Sequence, residues 1–557
     1  MDLPLSLPQL SKGELDPKLS DPSKVKAWLD ELPMLNVEES SHEIHKSLIA
    51  INRTPLEETT RIKLLELYRA PIKVLTDKLL KSYGTLPLPL SDKYQIAADR
   101  VRHFQNEMAY GYKWIVRDMY HRIQSKLLGR HSTSLALPIQ RAIYYLTGSL
   151  VHSYQQYAPY QAGTWKELHI LYQLAELNGI TEMPVEDPIN DVLGHSSVSH
   201  VYKQALLVDL SDPYHLPAQM ITKIYRYLDV MASLAHVHRP PIIAVADNCQ
   251  FLVDLNSDRA GHMVMGQPDE LQSKHLRLLN TVDLARTIHG QLTQLEEGKA
   301  PDSQGLGDGF FDAMAQNMCR RLINSWGVNP KRVFKRVPKS DISVNTAIGL
   351  ESAVYVFNQS RKFITSAEYM GPKPQRTRIG TFFTRPDPAL LDDVHLEEET
   401  QNDTEYALST WDMVDESAGG MALAKTGYKG PIRVGEIIAT HNKGGSESWS
   451  LSVIRWMRRL DNQHTELGIQ RLAPSAKPLA IKTLVQQNKE SEFMPGLLLP
   501  EIPALKQAQS LITPRGVFRN DGIVYIDDGN MMRRVTCTKL MEVTGSYERF
   551  QFRFQEF

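Results

Sequence analysis

Cysteine is scarce in this sequence, and each one stands alone. Cys249, Cys319 and Cys537 are the three in 557 residues, with no C-x-x-C spacing, so neither a disulfide framework nor a zinc module is expected. An excess of charge of one sign is lacking too: 63 Lys and Arg against 64 Asp and Glu leave a formal net charge of −1. That balance argues against a general nucleic-acid coat or a protein held on an anionic membrane surface, leaving only local basic patches open. No run approaches the roughly 20 apolar residues that cross a bilayer. The opening MDLPLSLPQL lacks the basic region and long apolar core of a secretory signal. The cytoplasm is the expected compartment. No fixed period of 20–50 residues recurs, which excludes a helical-repeat solenoid.

What is present is enough apolar side chain for true cores, 42% of the chain, and a length that predicts two to four domains. Residues 1–21, rich in Pro, Ser and Asp, read as a poorly ordered lead-in, with Asp21 or Ser23 capping a short helix through Leu32. From Glu38 to about Leu234 the apolar spacing is helical: Ile62, Leu65 and Tyr68, then Met220, Ile221, Ile224, Leu228 and Met231. Pro71 predicts a kink. Between Pro240 and Met265 the segments IIAVAD and HMVMG read as short strands, and Glu270–Glu297 as helix. SQGLGDG at 303–309 reads as a linker, since no strand precedes it and no Lys-Ser/Thr follows. A helix from Phe310 to about Trp326 comes next. Ile342–Phe357 alternates as one or two strands. Residues 359–405, first basic with prolines and then acidic at 392–399, form an exposed insertion. Trp411–Leu472 is strand-rich. The C-terminal piece has hairpin turns at Asn520-Asp521-Gly522 and Asp528-Gly529, and a half-buried strand with Phe550, Phe552 and Phe554 alternating.

Two features carry chemistry. Asp415-Glu416-Ser417-Ala418-Gly419-Gly420 is a compact polar turn between alternating segments, and upstream lie Arg332 and Arg336, four residues apart. An arginine fork bonds a phosphate or the O6/N7 edge of guanine bidentately and can stack on the base. A carboxylate can accept from guanine's donor edge, a serine adds a hydroxyl, and glycines at 419 and 420 let the backbone approach a ligand closely. R-x-x-x-R alone carries nothing, because it also occurs at Arg455/Arg459, Arg515/Arg519 and Arg549/Arg553; D-x-S-x-x-G occurs once.

In that order, and followed by GEIIAT, SVIRW and ELGIQ, the pair resembles the signatures of PilZ domains, bacterial receptors for cyclic di-GMP. The resemblance covers about 329–474. It implies a β-barrel whose ligand contacts are Arg332 and Arg336 on a loop and Asp415, Ser417 and Gly420 on the barrel turn. Seventy-eight residues lie between Arg336 and Asp415, more than the family's usual few dozen.

Other constellations are read structurally. His236-x-His238 lacks a third ligand at a recognisable spacing. Gly194-His195 with Ser196, Ser197 and His200 is a helix-capping loop. Tyrosines 110, 112, 144, 145, 154, 157 and 160 pack helices. No catalytic set and no cofactor are expected.

The whole reads as an α+β multidomain chain. Residues 1–305 form a mostly helical N-terminal region, 306–478 a PilZ-type antiparallel β-barrel with a preceding helix and the insertion, and 479–557 a β-rich segment, with a degenerate second barrel as one reading. The expected function is a non-enzymatic cyclic di-GMP receptor in which ligand binding rearranges a helical region that holds an unidentified protein partner. The alternative is a constitutive interaction scaffold whose barrel has lost the nucleotide. Nucleic-acid polymers and membrane insertion are not expected; homo-oligomerisation is left open.

Overall fold

The structure is a computed structural model. It describes residues 3–555 apart from 12–16, 126–132, 191, 240–241, 245–248, 265–268, 272, 308, 313, 328–335, 340, 366–405, 443–447, 461–462, 486–488, 491 and 504–506. Two compact units emerge. One comprises Met1–Lys335 with Thr426–Lys429 and Trp456–Leu467, the other Arg336–Lys425, Gly430–Arg455 and Gly468–Phe557.

The first unit is built from helices α1 (Pro17–Ser20), α2 (Pro22–Glu31), α3 (Val37–Asn52), α4 (Glu58–Tyr83), α5 (Asp92–Ser125) and α6 (Ala136–Gln155). They continue as α7 (Thr164–Leu177), α8 (Val198–Leu210), α9 (Ala218–Met231), α10 (Val282–Glu296) and α11 (Ala315–Trp326). Local chemistry explains their starts. Asp21 caps α2 by accepting from Ser23 N, with Pro22 in the first turn. Ser197 caps α8 by accepting from His200 N, so the His/Ser loop is a capping loop. Amphipathic spacing explains their burial: Ala315, Met318, Cys319, Leu322 and Trp326 are the buried face of α11. Pro71 lies inside the 26-residue α4. Tyr112, Tyr145, Tyr154 and Tyr157 are buried among these helices.

Short strands complete the unit. They are β1 (Val185–Glu186), β2 (His195–Ser196), β3 (His236–His238), β4 (Ile242–Ala244), β5 (Gln250–Asp254), β6 (His262–Met263), β7 (Asp269–Leu271) and β8 (Leu276–Asn280). A four-stranded sheet has the order β3-β8-β5-β6. The helix expected from Glu270 therefore begins only at Val282. Leu276–Asn280 instead pairs on both sides, with His236–His238 and Gln250–Asp254, and this long-range pairing overrides the local pattern. Residues 3–11, read as part of a disordered lead-in, are also placed: Leu3 and Leu5 pack against the main helical core.

Two closed barrels account for most of the second unit, although Thr426–Lys429 and Trp456–Leu467 of the first barrel belong to the first unit. The first takes β9 (Val337–Pro338), β10 (Ser343–Ile348), β11 (Leu408–Ser417), β12 (Gly420–Thr426), β13 (Ile437–Asn442), β14 (Ser450–Arg459) and β15 (His464–Ala473). Their order is β10-β13-β14-β15-β12-β11-β9, and β10 pairs back onto β11, closing six strands and leaving β9 outside the ring. Only the first half of Ile342–Phe357 is strand. Gly349, at φ +95°, turns the chain into helix α12 (Leu350–Phe357). The β-branched and aromatic run reads locally as a strand. It folds as a helix because Ala353, Val354 and Val356 are buried in one cluster with Leu451 and Val453 of the first barrel and Leu497, Leu499 and Ile512 of the second.

The second barrel takes β16 (Lys477–Val485), β17 (Lys489–Glu490), β18 (Met494–Leu499), β19 (Ser510–Thr513), β20 (Ile523–Asp527), β21 (Met532–Val543) and β22 (Glu548–Phe554). Its order is β17-β16-β18-β19-β22-β21-β20, with β16 pairing β20 to close it. Gly529, at φ +85°, serves the β20–β21 hairpin. The C-terminal piece is thus a complete second barrel, as one reading of the sequence had it. The greater part of the expected insertion, 366–405, lies outside the described residues.

Candidate functional site

The polar turn is the β11–β12 hairpin. Ser417 pairs with Gly420 across it, leaving Ala418 and Gly419 as the two-residue loop. The Ser417 hydroxyl donates to the Gly420 carbonyl at 3.2 Å, and the Gly419 carbonyl accepts from Arg471 N on β15 at 2.9 Å. Gly420 is required for packing. A Cβ there would lie 2.0 Å from the Ile469 carbonyl oxygen and 3.1 Å from the Gln470 Cα. From sequence this glycine is expected to let the backbone approach a ligand; the close approach observed at Gly420 is to β15.

A β-bulge between Met413 and Asp415 sets the carboxylate. Met413 pairs with Leu423, and Asp415 already with Ala422, so two residues on β11 oppose a single step on β12. Without it Asp415 would follow Trp411 and Met413, both buried, onto the core face. The extra residue turns it to the other face. There β9 runs antiparallel to the end of β11, Pro338 opposite Asp415 and Val337 opposite Glu416. Lys339 N also donates to the Val414 carbonyl at 2.9 Å.

That pairing returns Arg336 to the turn. Its Nη1 donates to both carboxylate oxygens of Asp415, at 2.9 and 3.1 Å. The two side chains keep 37% and 22% of their exposure, so the pair is within reach of a ligand. A second ion pair, Arg471 with Glu416 at 3.5 Å, flanks it. The sequence singled out neither member, although both belong to the same turn and the adjoining strand. Of the five expected contacts the structure brings together Arg336, Asp415, Ser417 and Gly420; Arg332 lies outside the described residues.

The remaining arginine pairs have other surroundings. Arg515 and Arg519 are exposed in the second barrel, and Arg549 Nε donates to Ser510 Oγ at 3.0 Å in its interior. His236 and His238 sit on β3, with His236 Nε2 3.6 Å from an Asp283 carboxylate oxygen. No group of three metal-ligating side chains occurs among the described residues. No described helix is long and apolar enough to cross a membrane.

Comparison with known proteins matches this architecture part by part. Residues 23–241 match the family described as the N-terminal domain of the cyclic-di-GMP receptor FimW. Residues 383–478 match its middle PilZ domain, and residues 479–555 its C-terminal β-barrel domain. The middle match begins after β10, the strand that closes the ring. The cyclic-di-GMP receptor FimW of Pseudomonas aeruginosa is 26% identical over an alignment covering 100% of this chain and 94% of that protein. No solved structure matches. The chain belongs to the PilZ-domain family of cyclic-di-GMP receptors, with a helical domain before its PilZ barrel and a second barrel after it.

Proposed function

We propose that this protein binds cyclic di-GMP without turnover at the β11–β12 turn, through Arg332, Arg336, Asp415 and Ser417, on a turn whose shape Gly420 preserves. The observation that carries the reading is the Arg336–Asp415 pair, assembled from opposite ends of a 78-residue separation and left partly exposed. Such a pair is worth about 0–1 kcal/mol, whereas a charge-assisted contact to a ligand phosphate is worth about 1.5–3 kcal/mol. The ligand therefore takes Arg336 away from Asp415. The freed carboxylate can then accept from a guanine N1–H and N2–H edge, and the Ser417 oxygen keeps a lone pair for a further donor.

The same exchange supplies a route to the helical domain. Trp326, at the end of α11, is fully buried; its Nε1 donates to the Leu207 carbonyl at 2.9 Å, and its own carbonyl accepts from Thr281 Oγ1 at 2.5 Å. Nine residues join this anchor to Arg336, and Pro330 among them has a restricted φ. Pinning Arg332 and Arg336 on a nucleotide shortens the free tether and biases how the helical domain is held, which is how a partner bound there would sense the ligand.

Calorimetry with cyclic di-GMP tests the site. Arg332→Ala and Arg336→Ala should each weaken binding about 10- to 150-fold, while Arg515→Ala and Arg549→Ala leave it within a few-fold. Equal losses at all four positions would overturn the assignment. Hydrogen exchange tests the coupling: ligand should alter protection within residues 17–327, and several Gly/Ser residues inserted after Gly327 should abolish that change while preserving affinity. Changes confined to the first barrel in the unmodified protein would instead favour a helical domain that holds its partner constitutively.

A further inference from the structure

Four buried cations of the helical unit meet carboxylates of the same chain. Arg69 and Arg141 reach Asp187 at 2.7 and 3.0 Å, Lys113 reaches Glu167 at 2.7 Å, and Arg277 pairs with Glu176. Arg100 on α5 does not. It is half-buried, and its Nη1 lies 2.6 Å from Nδ1 of His45 on α3. A guanidinium can only donate, so Nδ1 accepts. Burial lowers the guanidinium, with no carboxylate opposing it.

The acids on the same stretch of helix are committed elsewhere. Asp99, next to it in sequence, pairs with Arg102 at 2.8 Å. Glu107, seven residues further along α5, is gripped by both Nη atoms of Arg53, at 2.7 and 2.9 Å, and by Asn52 Nδ2 at 2.9 Å. Among the described residues the Nε–Nη2 edge of Arg100 has no partner.

Beside Arg100 the rings of His45 and His103 stack, with centroids 4.8 Å apart and planes 5° from parallel. Burial first, then the charge of Arg100, pushes the His45 imidazole down to about 4. At neutral pH the ring is therefore uncharged and carries its proton on Nε2. His103 is lowered as well, by burial and then by Arg102. Ile96, Arg100 and His103 follow one another at spacings of four and three residues, which places them on one face of α5. Ile96 is 64% exposed. Two helices thus bring a guanidinium edge and two imidazoles together beside an exposed apolar side chain, and the chain leaves their positive charge unbalanced.

We propose that Arg100, His45 and His103 form an anion site that takes a phosphoryl group. The open guanidinium edge suits two oxygens of one such group. The imidazole N–H donors serve its remaining oxygens, which a carboxylate does not have. Ile96 distinguishes two sources: free phosphate leaves it bare, whereas a phosphoryl group on an apolar carrier covers it. The site is independent of nucleotide binding at the barrel turn.

Inorganic phosphate is the probe, titrated by calorimetry into the full chain at constant ionic strength. All measurements carry Arg336→Ala, so that the barrel turn does not contribute. Arg100→Gln should weaken phosphate binding at least about tenfold, and His45→Gln should weaken it too. Arg286→Gln, which removes an exposed arginine of α10, should leave it unchanged. Acetate should bind at least about tenfold more weakly than phosphate. Phenyl phosphate separates the sources: tighter binding that Ile96→Ser removes identifies a carried phosphoryl group, and binding equal to that of phosphate identifies the free ion. Undiminished phosphate binding in Arg100→Gln, or acetate binding as tightly as phosphate, overturns the proposal. Hydrogen exchange on the chain with Arg100 intact guards against misfolding of the variants. Saturating phosphate should slow exchange within residues 42–46 and 96–104 relative to chloride, and unchanged exchange there would overturn the proposal as well.

Discussion

Replacing Gly420 with alanine separates the two roles a glycine at this turn could have. The added Cβ would sit 2.0 Å from the Ile469 carbonyl oxygen, where real Cβ atoms keep at least 3.0 Å. The obstacle is backbone of a paired strand, so no side-chain rotation relieves it. Strands β12 and β15 must part, and the hydrogen bond from Arg471 N to the Gly419 carbonyl, now 2.9 Å, is stretched out of bonding range. Overpacking of this kind costs about 1–3 kcal/mol, and a broken ladder bond adds about 0.5–1.5 kcal/mol. A loss of about 2–4 kcal/mol lowers the melting temperature of a unit this size by roughly 5–15 °C. Gly545→Ala is the control, because a Cβ there meets nothing within 4 Å; it should change stability by no more than about 0.5 kcal/mol. Differential scanning calorimetry with and without cyclic di-GMP reads both effects. If Gly420→Ala melts with the unmodified protein yet fails to bind, the glycine serves the ligand and the packing argument is wrong.

Two further outcomes follow from buried charge. In the second unit, burial alone would raise the Glu542 carboxyl, but the hydrogen bond and charge of Arg455 hold it below the ordinary range, with Tyr547 OH donating at 2.8 Å. Arg455→Ala should lower stability by about 1–3 kcal/mol in urea titrations, and adding Glu542→Gln should recover part of it; strictly additive losses would show that the pair is not coupled. In the helical unit, burial pushes the Asp229 carboxyl up to about 6, against the hydrogen bond from Gln204 at 2.9 Å. A raised carboxyl favours folding when protonated. Its contribution is complete below the unfolded value of about 3.9 and disappears as pH rises through about 6. Asp229→Asn should flatten the stability change between about pH 4 and pH 7; an unaltered pH profile would refute the assignment.

By itself the sequence determined the helical character of Glu38 to Leu234, because a 3.6-residue apolar period survives any packing arrangement. It also determined the strands after Trp411 and the single D-x-S-x-x-G turn, whose residue types and order carry the PilZ resemblance. Short-range spacing and turn chemistry are local properties, and they are legible in a linear text. What tertiary structure alone decided is which distant segments meet. Leu276–Asn280 became a strand because two partners claim it, and Leu350–Phe357 became a helix because both barrels supply its apolar surroundings. Arg336 reached Asp415 because Val337–Pro338 pairs with β11 and a bulge turns the carboxylate outward. Gly420 faces Ile469 instead of open space because β12 lies beside β15 in the sheet. Leu3 and Leu5, in a stretch with no helical or strand pattern of its own, pack against the main helical core. No local pattern encodes such partners, since each contact exists only once the intervening chain has folded and its loop-closure entropy has been met.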